Sequence, residues 1–186
     1  MKLYICEICG DAYIGEEKPT DCPFCGAKNN FIKNADEAKP IVNEKIPAST
    51  RGDDRSSTRG GDISELSQKN LLETLALETR ANAMYLCMAG KASEYKIKAM
   101  YKRLAKVELE HAVIVTKLLG IVMPEMKAET CADENQENFQ KTIELEDHAV
   151  ELYKKFTSEA TEPNIRKFFG ALMQVEAGHI ELIKNL

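Results

Sequence analysis

Tryptophan is absent from this sequence, and aromatic residues make up only 6% of its 186 positions. An excess of basic residues is missing too. Lys and Arg number 25 against 30 Asp and Glu, a net charge of −5, which argues against a nucleic-acid footprint. No run of about 18 apolar residues occurs, so no membrane-spanning helix is expected. The most apolar stretch, Ala112 to Met123, is interrupted by Thr116 and Lys117. Lys2 and a short apolar run before Cys6 and Glu7 are too little for a secretory signal. What remains is a globular composition, 30% charged and 44% hydrophobic, with the cytoplasm as the expected compartment. Disulfides are not expected there. Histidine is scarce as well, at 3, which leaves the 6 cysteines as the number to explain.

Four of them, Cys6, Cys9, Cys22 and Cys25, fall in the first 25 residues. They form two Cys-x-x-Cys units, Cys6-Glu7-Ile8-Cys9 and Cys22-Pro23-Phe24-Cys25, each followed by glycine (Gly10, Gly26). Four thiolates so spaced bind Zn or Fe tetrahedrally, and the spacing does not choose between them. A segment of this size cannot bury enough apolar surface alone; a bound metal supplies on the order of 10 kcal/mol. Tyr4, Ile5, Tyr13, Ile14, Phe31 and Ile32 predict short strands around the two knuckles, where Gly10 and Gly26 let backbone N–H groups turn toward sulfur. The other two cysteines stand apart. Cys87 is expected to be a buried thiol and Cys131 an exposed one.

The composition divides the chain into three stretches. Residues 1–34 hold the knuckles. Residues 35–61, punctuated by Pro40, Pro47, Gly52, Gly60 and Gly61, read as a linker, with a short ordered piece expected at Ile41 to Ile46. Residues 62–186 are helical throughout, with helices predicted at 63–91, 94–119, 133–159 and 162–184. Asp62 with Glu65 reads as a capping box for the first. Gly120 and Pro124 end the second, and Pro163 suits the first turn of the fourth. The fold class is mainly α: a four-helix bundle behind a small β/knuckle unit. The path from Gly120 to Cys131, extended to roughly 40 Å, permits a crossover along the bundle.

The bundle repeats itself. A shift of 68 residues lays Leu77-Glu78-x-x-Ala81-x-x-x-Tyr85 over Leu145-Glu146-x-x-Ala149-x-x-x-Tyr153. The same shift lays Glu108-x-x-His111 over Glu176-x-x-His179. These acids share the helix faces of apolar residues: Glu78 with Leu71, Leu75 and Tyr85; Glu108 and His111 with Leu104 and Val115. One Glu-x-x-His alone is common on a solvated face. Two copies, each with an inward Glu at the same offset, are not explained that way. Four buried carboxylates repel one another and are costly to desolvate. Two divalent cations cancel their charge, and oxygen-rich ligation with imidazole favours Fe or Mn over zinc.

Cys-x-x-Cys-Gly, Gly15, Pro19 and Cys-Pro-x-Cys-Gly, with the 12-residue gap between knuckles, resemble the rubredoxin-like domain of rubrerythrins. The bundle's acids and histidines resemble the ferritin-like domain of the same family, here in reversed order. The resemblance implies an iron in the four-cysteine site and a di-iron centre in the bundle. Glu78 with His111, and Glu146 with His179, would be terminal ligands; Glu108 and Glu176 would bridge. Tyr85 and Tyr153 would hydrogen-bond near the ligands, with ordinary core packing as their alternative. Many rubrerythrins carry a further carboxylate one turn from the third-helix acid, where this chain has Ala149. Asp147 and Glu144 are the nearest substitutes. His148 is expected at the surface.

The implied activity is reduction of H2O2 to water, with electrons relayed by the four-cysteine iron from an external reductase, in a homodimer. Two ferrous ions hold the two electrons that peroxide requires, whereas O2 requires four. Ala149 favours the alternative of a ferroxidase or O2-reducing oxidase. A further alternative is a zinc-stabilised structural or metal-binding module.

Overall fold

The computed structural model describes residues 1–42 and 63–186. Three short strands, β1 (Lys2–Cys6), β2 (Ala12–Gly15) and β3 (Ile32–Asn34), form an antiparallel sheet in the order β2-β1-β3. Tyr4, Ile5, Tyr13, Ile14 and Ile32 lie in these strands as expected, while Phe31 closes a 3-10 turn just before β3. Residues 35–42 return over this unit: the Ile41 N–H donates to the Glu7 carbonyl at 2.8 Å, and Val42 is buried. The remainder of the expected linker, and Asp62 with it, lies outside the described residues.

Four helices follow: α1 (Glu65–Lys91), α2 (Tyr95–Leu119), α3 (Asn135–Glu159) and α4 (Pro163–Lys184). Ser64 caps α1, its Oγ accepting from the Ser67 N–H at 3.2 Å. The Glu162 carboxylate, at the start of α4, accepts from the Ser64 N–H (2.6 Å) and the Ser67 hydroxyl (2.7 Å), tying two helix starts together. Gly120 ends α2 at φ 66°, a left-handed conformation that suits glycine.

Side-chain contacts give the helix directions. Glu78 and Asn82 on α1 meet His111 and Ala105 on α2 in reversed order, and Glu78 and Tyr85 on α1 meet Tyr153 and Glu146 on α3 in reversed order. Both α2 and α3 therefore run antiparallel to α1, and so parallel to each other. Residues 120–134 must traverse the bundle, roughly 37 Å for a helix as long as α2. This is the ferritin-like arrangement.

The apolar core is continuous between the two parts. Tyr4, Ile8, Cys25, Ala27 and Ile32 of the small unit join Leu71, Leu75, Ala112, Val115 and Phe168 of the bundle in one buried cluster. A second cluster, with Met84, Tyr85, Met88, Tyr101 and Leu104, fills the far end. Among the described residues, no helix is long and apolar enough to cross a membrane.

Cys87 and Cys131, expected as separate thiols, are joined in a disulfide between α1 and the end of the crossover. Both are half-buried. The expectation failed because periodicity along the chain does not show that the crossover returns to the C-terminal turns of α1. Lys91, one turn beyond Cys87, holds it there: its ammonium donates to the Cys131 carbonyl (2.7 Å) and pairs with Asp133 (2.8 Å).

Candidate metal centres

The four knuckle cysteines are buried, with Sγ atoms 3.8 Å apart for Cys6 and Cys25 and 3.7 Å apart for Cys9 and Cys22. Gly10 (φ 86°) and Gly26 (φ 76°) make the tight reversals after each Cys-x-x-Cys. Their own N–H groups bond to the Cys6 and Cys22 carbonyls (2.9 and 3.1 Å) and close the two backbone turns, while the Cys25 backbone N–H donates to the Cys22 sulfur. Hydrogen bonding to Cys22 and the other sulfurs, with burial, pushes the Cys9 thiol far up, while hydrogen bonds from Cys25 and Cys6 pull Cys22 down. The protein alone cannot ionise all four, and a cation at their centre reverses that.

In the bundle, helical spacing brings Glu78, Glu108, Glu146, Glu176, His111 and His179 together, all buried. Two overlapping groups result. Glu78, Glu108, His111 and Glu176 offer ligand atoms within 4.8 Å of one another, as do Glu108, Glu146, Glu176 and His179. Glu108 and Glu176 belong to both. His111 Nδ1 lies 3.1 Å from Glu108, 3.5 Å from Glu78 and 3.5 Å from Glu176. His179 Nδ1 lies 2.9 Å from Glu176, 3.2 Å from Glu146 and 3.3 Å from Glu108.

Charge is the deciding feature of this cluster. Among the described residues, Glu108 Oε1 and both Glu176 oxygens are buried without a hydrogen-bond partner of good geometry, close as His179 Nδ1 comes to them. Burial, then repulsion from Glu176, pushes the Glu108 carboxyl well above its usual range. Burial, then repulsion from Glu146, pushes Glu176 up to about 7. Burial opposes charge on His111 and His179, yet the facing carboxylates, Glu78 and Glu108 first among them, raise both well above 6.5. Four acids compete for two imidazolium charges. Orphaned oxygens in a dry core, with both Nδ1 atoms facing them, fit two divalent cations in place of those protons.

Each lone acid is held by a tyrosine of the opposite hairpin. Tyr85 on α1 donates to Glu146 Oε1 on α3, and Tyr153 on α3 donates to Glu78 Oε1 on α1. Burial, then the adjacent carboxylates, raises both phenols well above 10, so they stay protonated. Tyr85 stacks on Tyr101 and Tyr153 on Phe169, which fixes both rings. Ala149 is buried, while Asp147, Glu144 and His148 lie on the exposed face of α3. Neither candidate substitute for a further third-helix carboxylate reaches the cluster.

The contact between the two centres has no counterpart in any local motif. His111 Nε2 lies 2.9 Å from the Cys25 carbonyl oxygen. The imidazole Nε2–H donates to that carbonyl, which leaves Nδ1 facing the acids as the nitrogen that would give up its proton to take a metal. Gly26 permits the approach: a Cβ there would lie 2.9 Å from Val175 Cγ1 and 3.6 Å from Val107 Cγ1. Lys167 on α4 pairs with Glu7 between the cysteines at 2.7 Å, and Arg103 on α2 reaches the Phe24 carbonyl at 3.4 Å.

The rubrerythrin family model matches residues 69–186. The chain is also 30% identical over 168 residues to reverse rubrerythrin-1 of Clostridium acetobutylicum, covering 88% of this chain and 83% of that protein. The chain belongs to the rubrerythrin family. The N-terminal cysteine cluster fits the reversed order of domains. A hypothetical protein from Pyrococcus furiosus shares the fold, with a TM-score of 0.54 at 20% identity, over 64% of this chain and 86% of that one. A rubrerythrin domain implies a di-iron centre, which the Glu/His groups fit, and the four-cysteine cluster suits a rubredoxin-like iron. Family membership supports oxidoreductase activity.

Proposed function

We propose that this chain is a peroxide reductase, converting H2O2 to two waters at the di-iron centre with electrons passed from the four-cysteine iron. The observation that carries this reading is the 2.9 Å hydrogen bond between the Cys25 carbonyl and His111 Nε2. It makes a through-bond route from a cysteine of one centre to an imidazole of the other within a single chain. When bound, the di-iron centre supplies the two electrons that cleave the O–O bond.

The chain's own residues do the rest. Glu78 and His111 hold one metal, Glu146 and His179 the other, and Glu108 and Glu176 serve both. Cys6, Cys9, Cys22 and Cys25 hold the third. Tyr85 and Tyr153 fix the orientation of the two lone acids and keep two protons at phenol oxygens beside the reacting region. Peroxide reduction consumes two protons with its two electrons, so neutral phenols at these positions match the demand. The buried core excludes bulk water from the acids.

The reading includes a homodimer, an external reductase that reloads the four-cysteine iron, and the cytoplasm, where reduced thiolates and ferrous iron persist. A second reading, ferroxidase or O2-reducing oxidase, is favoured by one observation. The six ligands are near-symmetric about Glu108 and Glu176, and Ala149 supplies no seventh.

The test is to reduce the protein anaerobically and mix it separately with H2O2, O2 and excess Fe(II). The reading expects oxidation by H2O2 to be the fastest. Oxidation by H2O2 no faster than in buffer overturns it, and faster consumption of Fe(II) or O2 selects the second reading.

A further inference from the structure

Peroxide reduction leaves one reactive pair unused: Cys87 and Cys131, bonded to each other outside both metal centres. The four buried thiols of the same chain suit a reducing environment, where a permanent disulfide is rare. A pair that opens and closes there resolves the conflict.

The surroundings favour such a pair. The two cysteines are held together by contacts that do not depend on the sulfur–sulfur bond. Lys91 shares a face of α1 with Cys87 and grips the Cys131 carbonyl and Asp133. Asn138 on α3 accepts from the Ala132 N–H (3.0 Å) and donates to the Ala132 carbonyl (3.1 Å), fixing the residue next to Cys131. Arg80 pairs with Glu129 at 3.5 Å. The opened thiols therefore stay adjacent, and the second closes on the first as an intramolecular reaction. Both are half-buried, so small oxidants and a reductant's thiolate have access.

We propose that Cys87 and Cys131 form a reversible thiol–disulfide couple, closed by a hydroperoxide and reopened by a dithiol reductant. In the closing reaction one thiolate attacks a peroxide oxygen. An S–O bond forms, the O–O bond breaks, and the leaving hydroxide takes the thiol's proton to become water. The second thiolate then attacks that sulfur: the S–S bond forms, the S–O bond breaks, and a second water leaves. Two thiols lose two electrons and H2O2 gains them. Reopening transfers two electrons from the dithiol, which itself becomes a disulfide. The couple tethers the crossover to α1 during peroxide exposure, two residues beyond Tyr85, and works without either metal centre.

Alkylation mapping tests the couple on the full-length, metal-loaded protein with its di-iron centre oxidised. The protein is treated with dithiothreitol and desalted anaerobically. One half then receives equimolar H2O2. Both halves are alkylated with iodoacetamide, and the peptides bearing Cys87 and Cys131 are read by mass spectrometry. The expected result is alkylation of both cysteines before peroxide, of neither after it, and of both again after fresh dithiothreitol. In Cys131→Ser, Cys87 is expected to be trapped as a sulfenic acid by dimedone. In Lys91→Ala, closure is expected to be severalfold slower with the same end point. A crosslinked peptide that survives dithiothreitol in the native protein, cysteines still alkylated after peroxide, or sulfinic acid in place of the disulfide would each overturn the proposal. Because the readout is at these cysteines, its failure is distinct from failure of peroxide turnover at the di-iron centre.

Discussion

Replacing Gly26 with alanine puts a methyl group where the knuckle meets the bundle. Two costs follow from the structure. At φ 76° a Cβ is strained by about 1–2 kcal/mol. The new atom would also lie 2.9 Å from Val175 Cγ1, on a helix residue that is itself buried. Overpacking of this kind costs about 1–3 kcal/mol. The expected total is therefore about 2–5 kcal/mol, read by urea unfolding. The two costs separate in a double-mutant cycle. Val175→Ala removes the methyl that clashes and leaves the backbone strain, so the cycle should show a favourable coupling of about 1–3 kcal/mol, the overpacking cost alone. The functional consequence follows from position, since Cys25 carries the carbonyl that accepts from His111. A knuckle pushed off Val175 stretches that bond. Oxidation of the reduced four-cysteine iron after a peroxide pulse should slow in Gly26→Ala and recover in the double variant. A Gly26→Ala protein of native stability, or additive costs in the cycle, would refute the close approach.

Three further outcomes follow from charge and connectivity. Glu176→Gln removes a buried acid whose folded pKa is raised from 4.5 to about 7. The metal-free wild type should therefore lose stability as pH rises from about 4.5 to 7, and the variant should be about 3 kcal/mol more stable above that window, measured by urea unfolding. Metal content of the same variant should fall. Glu162 behaves oppositely: burial raises it, but the Ser64 N–H and Ser67 hydroxyl outweigh that and hold it at about 2. Its contribution is present above pH 4.5 and lost as pH falls toward 2, so the stability gap to Glu162→Gln should close over that range in acid titrations. Opening the Cys87–Cys131 bond, which spans 44 residues, should lower stability by up to about 4 kcal/mol in unfolding experiments with and without dithiol.

The sequence made the bundle and its cluster of candidate metal ligands legible for one physical reason. Helical periodicity converts spacing into a shared face, and acids on an apolar face demand compensation. The 68-residue shift carried that demand to both hairpins, so Glu78, Glu108, Glu146 and Glu176 converge as their spacing requires. Contacts between distant elements were not legible. Nothing near Cys25 points to His111, and nothing near Cys131 points to Cys87, because docking of a small unit on helices and the return of a crossover are tertiary events. The brace from Glu162 to the Ser64 N–H was not legible for the same reason, although the capping bond itself, Ser67 N–H to Ser64 Oγ, is local. A signal was available at Gly26, where only a residue without Cβ tolerates both the turn and Val175.

The central claim is that one chain carries electrons from its cysteine centre through the Cys25–His111 contact to a peroxide-reducing site. Its most direct test is stopped-flow absorption of the fully reduced, iron-loaded protein after two equivalents of H2O2 per chain, which accept four electrons against the three held by the irons of one chain. The visible absorption of the oxidised four-cysteine iron should return within the same mixing experiment in the wild type, and with a marked delay in Gly26→Ala. A four-cysteine centre that stays reduced after the peroxide is consumed, or one that recolours equally fast in both proteins, would contradict the account.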